Sequence, residues 1–362
     1  MNFNRLIWLN HRDIMHPKAG GAERTIYEVS SRLVKRGYEV ILLSSKFENL
    51  SSYQEVGGVK IIRLGGDFTS HVKNIIFERK FKTGTVVIDD MAHVVPWGSE
   101  RFTSLPGTVF FRHLHRRTLD GQLSPMKATI LKTLEQNYSR LYKTWPFITE
   151  SKQGVEDLIE IGIPKERIVR IPPGVDFENL RPKQKFETPS LVYFGGMRDY
   201  KRPYDALYLV QKLRSSYPKI KLRIIGNGPS LESMKLLAKK LQVRSNVEFL
   251  GRLEEIDLFD IVSKSWLNLH FSFAEGWGYS ILESAACGTP TLAYNAPGVN
   301  EAISDGRNGL KVPSDQKEKL LQTATEILSN YQKWIQSSRS FAENYSWNTT
   351  TDLFERHLST LL

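Results

Sequence analysis

Short apolar runs alternate along the chain with longer segments in which apolar residues recur at helical spacing. The first run, LIWLN at 6–10, precedes a segment that places Ile26, Val29 and Leu33 on one helical face and ends at Gly37. Further runs predict strands at 40–45, 59–64, 85–89, 108–111, 146–149, 167–171, 191–194, 221–226, 246–251, 266–271 and 289–294. Continuous apolar strands that alternate with helices predict parallel sheets covered by helices on both faces.

The alternation is interrupted at 171–190 by a stretch that is rich in proline and polar residues and has no clear period. This stretch predicts a linker. Because 362 residues exceed one ordinary core, we expect two doubly wound, Rossmann-like α/β domains, over residues 1–180 and 181–344. In such sheets, ligands bind beyond the carboxyl ends of the strands, which is where the motifs described below lie.

Composition narrows the class of protein. With 40% hydrophobic and 25% charged residues, the chain has an ordinary globular composition. No apolar run is long enough to span a bilayer, and MNFNRLIWLN at the start lacks the features of a signal peptide. The single cysteine, Cys287, excludes an intrachain disulfide. We therefore expect a cytoplasmic location.

The formal net charge is +11, and the two halves of the chain share it almost evenly. Within the first half, residues 101–143 carry eight basic and two acidic residues, mixed with leucine, isoleucine and tyrosine, and Trp145 follows. Such a local excess suits an anionic partner, such as a phosphate or an anionic membrane surface. A solvated basic face with no partner is the alternative.

Two motifs in the first half follow predicted strands. In HPKAGGAER (16–24), Gly20 and Gly21 open a helix, whose unpaired N–H groups favour an anion, although the G-x-G-x-x-G fingerprint is absent. In FFRHLHRRT (110–118), His113 and His115 are suited to proton transfer or to donation to an anion. On an extended segment they would point opposite ways, so we expect only one to face the ligand. No matching spacing of carboxylates or thiols supports a metal site.

The segment YFGGMRDYKRP (193–203) ends the first strand of the second half. Gly195 and Gly196 allow close approach to the backbone, and Arg198 and Lys201 follow where the chain turns into a helix. Close backbone approach with cationic side chains suits a diphosphate. A basic helix start without a ligand is the alternative, but it would oppose the helix dipole.

The segment EGWGYSILE (275–283) carries one glutamate at each end. Glu275 lies in a loop, Glu283 lies in the helix that follows, and the helix begins between them, near Gly278 to Ser280. The N–H groups of a helix start can bind a phosphate, and carboxylates can accept hydrogen bonds from the paired hydroxyls of a sugar or ribose. Glu283 alone would also suit a helix-face carboxylate paired with a nearby cation.

With these motifs in place, the chain resembles the retaining, nucleotide-sugar-dependent glycosyltransferases of family 4. The resemblance rests on GGAER, FITESKQGVEDLIEIGIPKERIVRIPPGVD, FGGMRDYKRP, IIGNGP, VEFLGRL, EGWGYSILESAACGTPTLA and GVNEAISDGRNGLKV, which span nearly the whole length. It implies the GT-B fold, in which two doubly wound Rossmann-like domains face each other across a cleft. It also implies a final helix, here 345–362, that crosses back to the first domain.

The resemblance also implies roles for individual residues. Glu275 would contact the donor sugar and Glu283 the ribose hydroxyls, while Lys201 and Arg198 would bind the diphosphate and His113 would face the cleft. The remaining residues of the substrate-binding set are Gly20, Gly21, Gly195, Gly196, Arg252, Gly276, Gly278, Tyr279 and Ser280. One departure concerns the arginine that often directly follows the glycine, because Gly196 occupies that position here and the arginine comes two residues later.

The implied reaction moves a sugar, with retention, from a UDP- or GDP-sugar to a hydroxyl of a glycan or lipid-linked acceptor. No metal or other cofactor is expected, because Asp-x-Asp is absent and the adjacent aspartates of IDDM lie in the wrong half for the donor. Lys201, Arg198 and backbone N–H groups would meet the charge of the leaving phosphate. A lipid-linked acceptor would bring the protein to the inner face of a membrane.

Three other classes of protein are alternatives. A nucleotide-sugar epimerase with the GT-B fold would need no acceptor, so analysis of the products separates it from a transferase. A non-catalytic subunit that binds a nucleotide sugar is disfavoured because both glutamates and Lys201 are present. A nucleic-acid-binding protein is disfavoured by the even division of charge. We therefore expect no nucleic-acid partner.

Overall fold

The structure, a computed structural model, describes residues 3–47, 49–66, 69–78, 80–81, 83–116 and 125–362. The chain forms two compact units. Unit 1 comprises residues 1–174 and 347–362, and unit 2 comprises residues 175–346. The division therefore comes earlier than the predicted boundary at 180, because Val175 and Leu180 pack with Val192 and Phe194 in a hydrophobic cluster of unit 2.

Unit 1 contains one eight-stranded sheet in the order β3-β4-β2-β1-β5-β6-β7-β8. Its neighbouring strands are parallel except for the antiparallel pair β3 and β4. The strands are β1 (Arg5–Leu9), β2 (Glu39–Ser44), β3 (Tyr53–Val56), β4 (Val59–Arg63), β5 (Thr85–Met91), β6 (Gly107–Phe111), β7 (Phe147–Thr149) and β8 (Ile168–Arg170). The described helices are α1 (Gly21–Lys35), α2 (Thr69–Glu78), α3 (Pro125–Gln136), α4 (Tyr138–Leu141), α5 (Lys152–Glu160) and, from the end of the chain, α12 (Trp347–Ser359).

The last helix, α12, completes the core of unit 1. The ring of Phe354 lies 5.6 Å from that of Trp8 in β1 and 5.3 Å from that of Phe110 in β6, measured between centroids. At the surface, Glu355 accepts hydrogen bonds from Tyr38 and Arg36. Phe354 is fully buried, so this helix covers one face of the sheet.

Unit 2 contains a six-stranded parallel sheet in the order β11-β10-β9-β12-β13-β14. The strands are β9 (Ser190–Phe194), β10 (Lys221–Ile225), β11 (Val247–Gly251), β12 (Leu267–His270), β13 (Thr291–Asn295) and β14 (Gly309–Pro313). The helices are α6 (Tyr204–Leu213), α7 (Leu231–Lys240), α8 (Glu255–Lys264), α9 (Tyr279–Ala286), α10 (Lys319–Ser329) and α11 (Tyr331–Ala342).

The two sheets confirm the predicted pair of doubly wound, parallel α/β sheets. The sequence pattern missed two strands, β3 and β14. Both lie at an edge of their sheet, and β3 alternates between exposed and half-buried residues instead of forming an apolar run. No helix in the described ranges is both long and apolar enough to cross a membrane.

The strand order defines one switch point in each sheet. In unit 1 the chain leaves β1 toward β2 and later returns to place β5 on the other side of β1. In unit 2 it leaves β9 toward β10 and later places β12 on the other side of β9. The loops that follow two such strands diverge and leave a crevice at the carboxyl edge, which is where α/β sheets bind ligands.

Candidate functional site

The switch point of unit 2 brings together the two motifs that the sequence singled out in the second half. The loop after β9 contains Gly195 to Lys201, and the loop after β12 contains Glu275. The backbone N–H of Phe273 donates to the carbonyl of Tyr200 at 3.2 Å, and the two rings pack edge to face. The two loops are therefore held against each other by backbone and side-chain contacts.

The glycines after β9 leave open space at the carboxyl edge. A Cβ atom built on Gly195 or Gly196 would meet no atom within 4 Å. By contrast, a Cβ on Gly226 would lie 2.0 Å from the carbonyl oxygen of Gly195, and one on Gly228 would lie 2.3 Å from that of Met197. Packing therefore requires glycine at 226 and 228, whereas at 195 and 196 it leaves the backbone accessible to a ligand.

Lys201 and Glu275 form an ion pair at this point, with 3.0 Å between Nζ and Oε1. The side chains are 21% and 15% exposed. Burial would lower the pKa of Lys201 and raise that of Glu275, but their mutual attraction outweighs burial, so the pKa of the lysine is raised and that of the glutamate lowered. Both side chains are therefore charged at neutral pH.

Glu275 keeps one carboxylate oxygen for a ligand. Ser272 Oγ donates to Oε1 at 2.7 Å, and Oε1 is also the atom that faces Lys201. Oε2 accepts no hydrogen bond from a residue in the described ranges. The loop is fixed by a hydrogen bond from the N–H of Glu275 to the carbonyl of Pro297, beside Gly298, which has a φ of +75°. A Cβ on Gly298 would lie 1.8 Å from the carbonyl oxygen of Glu275.

His270, the last residue of β12, belongs to this site, although sequence reasoning did not select it. Its Nδ1 lies 3.0 Å from Ser280 Oγ, and its Nε2 lies 3.8 Å from Glu275 Oε1. Burial lowers the pKa of His270 to about 4, with Glu275 opposing this effect and Lys201 adding to it, so the ring is neutral at neutral pH. Its position at a strand end just before EGWGYSILE was the available signal.

The start of α9 lies between the two glutamates, as the sequence predicted. No side chain caps Gly278, and the first turn, which contains Tyr279 and Ser280, has no acidic residue. A Cβ on Gly278 would lie 3.0 Å from Ala302 Cβ, so glycine allows this helix start to pack closely. Glu283 is half-buried on the same helix, and Gly276 lies in the loop before it. In this turn the N–H groups of Tyr279 and Ile281 donate to the carbonyls of Trp277 and Gly278, so the N–H of Ser280 and the positive end of the helix dipole are what the turn can offer an anion.

The arginines of unit 2 differ in how they are engaged. Arg198 is exposed, and its side chain forms no hydrogen bond or ion pair with any residue that the structure describes. The guanidinium of Arg202 packs over the rings of Phe273 and Tyr294 and donates to the carbonyl of Ser314. Arg252 is exposed beyond β11, at the edge of the sheet. Arg198 is thus the arginine available beside Lys201.

In unit 1, the start of α1 is occupied by a side chain of the protein itself. Glu23 Oε2 accepts a hydrogen bond from the N–H of Gly20 at 2.7 Å, which is one half of a capping box, because glycine has no side chain to make the other half. Asn10 also donates to this carboxylate, at 3.5 Å. The anion that the sequence predicted at this helix start would therefore compete with Glu23.

The expectation that His113 and His115 point opposite ways was wrong. Their ring centroids are 4.5 Å apart. Strand β6 ends at Phe111, so the alternation of an extended strand does not apply to the histidines. The N–H groups of His115 and Arg116 donate to Glu135, which turns the chain after the strand. Residues 117 and 118 of the same motif lie outside the described residues.

The adjacent aspartates of IDDM are part of the buried interior of unit 1. Asp90 binds Arg112 through both carboxylate oxygens, at 3.0 and 2.6 Å, and Arg112 also donates to Glu150 at 2.9 Å. Asp89 accepts hydrogen bonds from the N–H of Ser99 and the hydroxyl of Tyr142. Within the described ranges, no group of three or more His, Cys, Asp or Glu side chains is arranged to hold a metal ion.

Two family models match the chain. One, described as Glycosyltransferase Family 4, matches residues 19–179, and the other, described as Glycosyl transferases group 1, matches residues 176–345. An uncharacterized glycosyltransferase of Haemophilus influenzae is 23% identical over 90% of this chain and 93% of its own length. A phosphatidylinositol N-acetylglucosaminyltransferase component from Arabidopsis thaliana is 21% identical over 92% of this chain and 77% of its own length.

Solved structures share the fold over the whole chain. Sucrose-phosphate synthase of Thermosynechococcus elongatus has a TM-score of 0.82 at 16% identity, with 99% of each chain covered. HepE of Anabaena, solved with UDP and glucose, has a TM-score of 0.78 at 15% identity, with 98% of this chain and 99% of HepE covered. At these identities, the likeness shows the fold alone.

Proposed function

The chain belongs to the family 4 glycosyltransferases with the GT-B fold, which use nucleotide sugars, and we propose that it is a retaining hexosyltransferase. The proposed donor is a UDP- or GDP-sugar, and the proposed acceptor is a hydroxyl of a glycan or lipid-linked sugar. The observation that carries this proposal is the Lys201–Glu275 ion pair at the switch point of unit 2. It lies beside an accessible glycine backbone and a helix start that no side chain caps.

The donor diphosphate would lie on the backbone of Gly195 and Gly196. An ammonium group has three N–H donors, and Glu275 occupies one of those of Lys201, so the lysine can donate to a phosphate without leaving its partner. Arg198 is exposed next to it and would supply a second cation. The first turn of α9 would add the backbone N–H of Ser280 and the positive end of its dipole.

The two glutamates would accept hydrogen bonds from hydroxyl groups of the donor, one from the transferred sugar and the other from the ribose. Oε2 of Glu275 would accept from the hydroxyls of the transferred sugar, because Oε1 is already bound by Ser272 and Lys201. Glu283, further along α9, would accept from the ribose hydroxyls. A structure of HepE with UDP-glucose supports a nucleotide sugar as the ligand class of this fold, and UDP as one candidate carrier.

The chemical step would need no nucleophile from the protein. The bond from the anomeric carbon to the diphosphate oxygen breaks, and its electron pair goes to that oxygen. The acceptor oxygen bonds to the anomeric carbon on the same face, and its proton passes to the departing phosphate. Lys201, Arg198 and the N–H of Ser280 at the start of α9 would stabilise the charge that develops on the diphosphate. The reaction in this form uses no metal ion and no other cofactor.

A lipid-linked acceptor is the form that unit 1 favours. On α3, Met126 and Ile130 are 71% and 60% exposed and lie one turn apart, and Lys127 and Lys132 are on the same helix. Exposed apolar side chains among lysines suit peripheral contact with an anionic membrane at its cytoplasmic face. The name of the Arabidopsis relative includes a phospholipid, which is consistent with this class of acceptor.

The membrane proposal is tested by vesicle flotation at low salt. The protein should float with vesicles containing anionic lipid more than with neutral vesicles, and Met126→Ser with Ile130→Ser should abolish this preference. The matched control is Ile159→Ser, which removes an exposed apolar residue from another helix of unit 1. Equal flotation with both kinds of vesicle would refute membrane contact.

The donor proposal is tested by a thermal-shift screen against UDP, GDP, ADP and their sugars. A ligand at one hundred times its Kd stabilises the folded protein by about 2.7 kcal/mol. We expect UDP or GDP, with the matching sugar, to raise Tm most. Product analysis with the best donor then separates transfer from epimerisation. A protein that no nucleotide stabilises would contradict the proposed function.

A further inference from the structure

Six of the eight histidines of the chain lie in segments that follow the carboxyl ends of strands in the sheet of unit 1. Five of them follow strands β1, β5 and β6, and one lies in α2, after β4; they are His11, His16, His71, His93, His113 and His115. Because β1, β5 and β6 are parallel neighbours, their carboxyl ends meet at one edge. Histidines that are far apart in the sequence are therefore placed around the switch point between β1 and β5.

Four rings at this edge contact one another, and we call them the histidine cluster: His11, His71, His93 and Trp97. The centroid of His11 lies 4.9 Å from His71, 4.6 Å from His93 and 4.6 Å from Trp97. His71 and Trp97 stack at 4.4 Å. The three histidines are half-buried, so part of each ring is exposed at the edge.

The groups that act on His93 are basic. Burial lowers the pKa of His93 to about 4, and the groups that lower it further are Arg12, His115, His16 and His71. Burial also lowers the pKa of His71, against a hydrogen bond that the ring donates to the backbone carbonyl of Val95, which raises it. The rings of His71 and His93 are therefore neutral at pH 7, and Arg12 is the permanently charged group among those that lower the pKa of His93.

The acidic side chains of this edge are engaged elsewhere. Asp13 is paired with Arg63 and accepts from Ser44, and its pKa is lowered because these contacts outweigh burial. Glu23 caps α1. Glu135 accepts from the N–H groups after His113. None of these carboxylates is therefore available to neutralise a cation in the cluster.

Arg12 and His71 are left with unused donors or acceptors. Arg12 is half-buried, and its guanidinium forms no hydrogen bond or ion pair with any residue in the described ranges. The Nε2 atom of His71 is buried and has no hydrogen-bond partner among the described residues. A guanidinium binds phosphate through two parallel N–H donors, and imidazole N–H groups can complete the contact.

We propose that Arg12 and the histidine cluster bind the phosphate group of a phosphate-bearing acceptor. The proposal rests on the transferase function and names the class of its acceptor. A phosphate placed here pairs with Arg12, and its negative charge beside the rings raises the pKa of His93 against the effect of burial. A neutral sugar stacked on the rings has no charge and would not raise this pKa.

The test is a pH titration of the histidine side chains by NMR, with ¹⁵N-labelled histidine in the full chain. In phosphate, compared with chloride at equal ionic strength, the pKa of His93 should rise by about one unit or more. His357 is the matched control, because its pKa is also lowered to about 4 by burial but it lies in α12 and contacts Thr108. Arg12→Gln, which breaks no side-chain hydrogen bond or ion pair within the described ranges, should abolish the shift and leave the fold intact.

Two further arms identify the source of the phosphate. One uses glycerol 3-phosphate in solution, and the other uses vesicles containing phosphatidic acid, with phosphatidylcholine vesicles as reference. A shift of His93 in either arm supports the site and identifies a soluble or a lipid phosphate. No shift with phosphate, ester or vesicle, or an equal shift of His93 and His357, overturns it. The readout needs no donor, so it is independent of the outcome of the nucleotide screen.

Discussion

The two units place their chemistry at equivalent points of the same architecture, but the chemistry differs. In unit 2, the switch point between β9 and β12 contains a charged lysine and a charged glutamate, Lys201 and Glu275, 3.0 Å apart. In unit 1, the switch point between β1 and β5 contains neutral imidazoles near Arg12. The fold determines where a ligand can bind, and a few side chains determine whether the site is charged before the ligand arrives.

The helix starts of the two units show the same difference. Both α1 and α9 begin at a glycine after a strand end. At α1, the carboxylate of Glu23 fills the position that an anion would take, whereas at α9 no side chain caps Gly278. A glycine at a helix start is therefore not by itself evidence of an anion site, because the third residue of the helix can supply its own acid.

The largest expected effect is that of Lys201→Ala. Removal of a cation that stabilises the leaving diphosphate costs roughly 3 kcal/mol, so kcat/KM should fall about a hundredfold. Steady-state kinetics with the donor from the nucleotide screen measure this. Lys183→Ala, at an exposed lysine of unit 2 paired with Asp260, should leave the rate unchanged.

Arg198→Ala tests whether Arg198, which lies two residues beyond the usual position of the phosphate-binding arginine, still binds the diphosphate. We expect it to lower kcat/KM as well, but by less than Lys201→Ala, because Arg198 is exposed and solvent screens its charge. A wild-type rate for Arg198→Ala, with Lys201→Ala impaired, would show that a single lysine binds the diphosphate. A wild-type rate for both variants would refute the proposal that the loop after β9 binds the diphosphate.

The next largest effects distinguish the roles of Glu283 and Glu275, one in nucleotide binding and the other in sugar transfer. Glu283→Gln should weaken nucleotide binding about tenfold, because it removes a charged acceptor of the ribose hydroxyls. Glu275→Gln should mainly lower kcat, because its contacts are to the sugar and to Lys201. Calorimetry with the nucleoside diphosphate, together with kcat, measures the division. An equal loss of nucleotide affinity in both variants would rule it out.

A smaller effect concerns buried carboxyls in unit 1, which, unlike Glu275, have raised pKa values. Burial, and then the charge of Asp89, raise the pKa of Glu78 to about 9, and burial raises that of Asp89 to about 6. A carboxyl with a raised pKa binds its proton more tightly in the folded state. Stability is therefore greatest below the pKa of the unfolded chain and declines as pH rises toward the folded pKa.

Glu78→Gln should reduce that decline between pH 5 and pH 8, by on the order of 1 kcal/mol per pH unit. The amide oxygen can still accept the hydrogen bond from Ser99 Oγ. Urea unfolding at several pH values measures the slope. The control is Glu166→Gln, at an exposed glutamate of unit 1. Identical slopes for wild type and Glu78→Gln would show that Glu78 ionises normally.

The sequence predicted most of the fold because parallel, doubly covered strands are continuous apolar runs. It missed β3 and β14, which lie at sheet edges, where one side of a strand lacks a partner. Lys201 and Glu275 were selected separately, and their ion pair follows from β9 and β12 being neighbours. That adjacency depends on the order of strands in the sheet, which the order of motifs along the chain does not reveal.

Three features of the sites needed the structure for different reasons. His270 is one histidine at a strand end, a pattern that also fits a core residue. The Glu23 cap could have been found, because glycine followed three residues later by glutamate resembles a capping box. The histidine cluster could not, because residues 11, 71 and 93 come together only through the strand order and the position of α2.

The most direct test of the central claim, that unit 2 binds the donor diphosphate at the glycines after β9, is calorimetry with Gly196→Ala. The methyl group would meet no protein atom within 4 Å and so should not disturb the fold, but it would occupy the space of the diphosphate. We expect the Kd for the nucleoside diphosphate to rise at least about tenfold, with Tm unchanged. Gly66→Ala, an equally open glycine in unit 1, should bind as wild type. Wild-type affinity in Gly196→Ala would contradict the account.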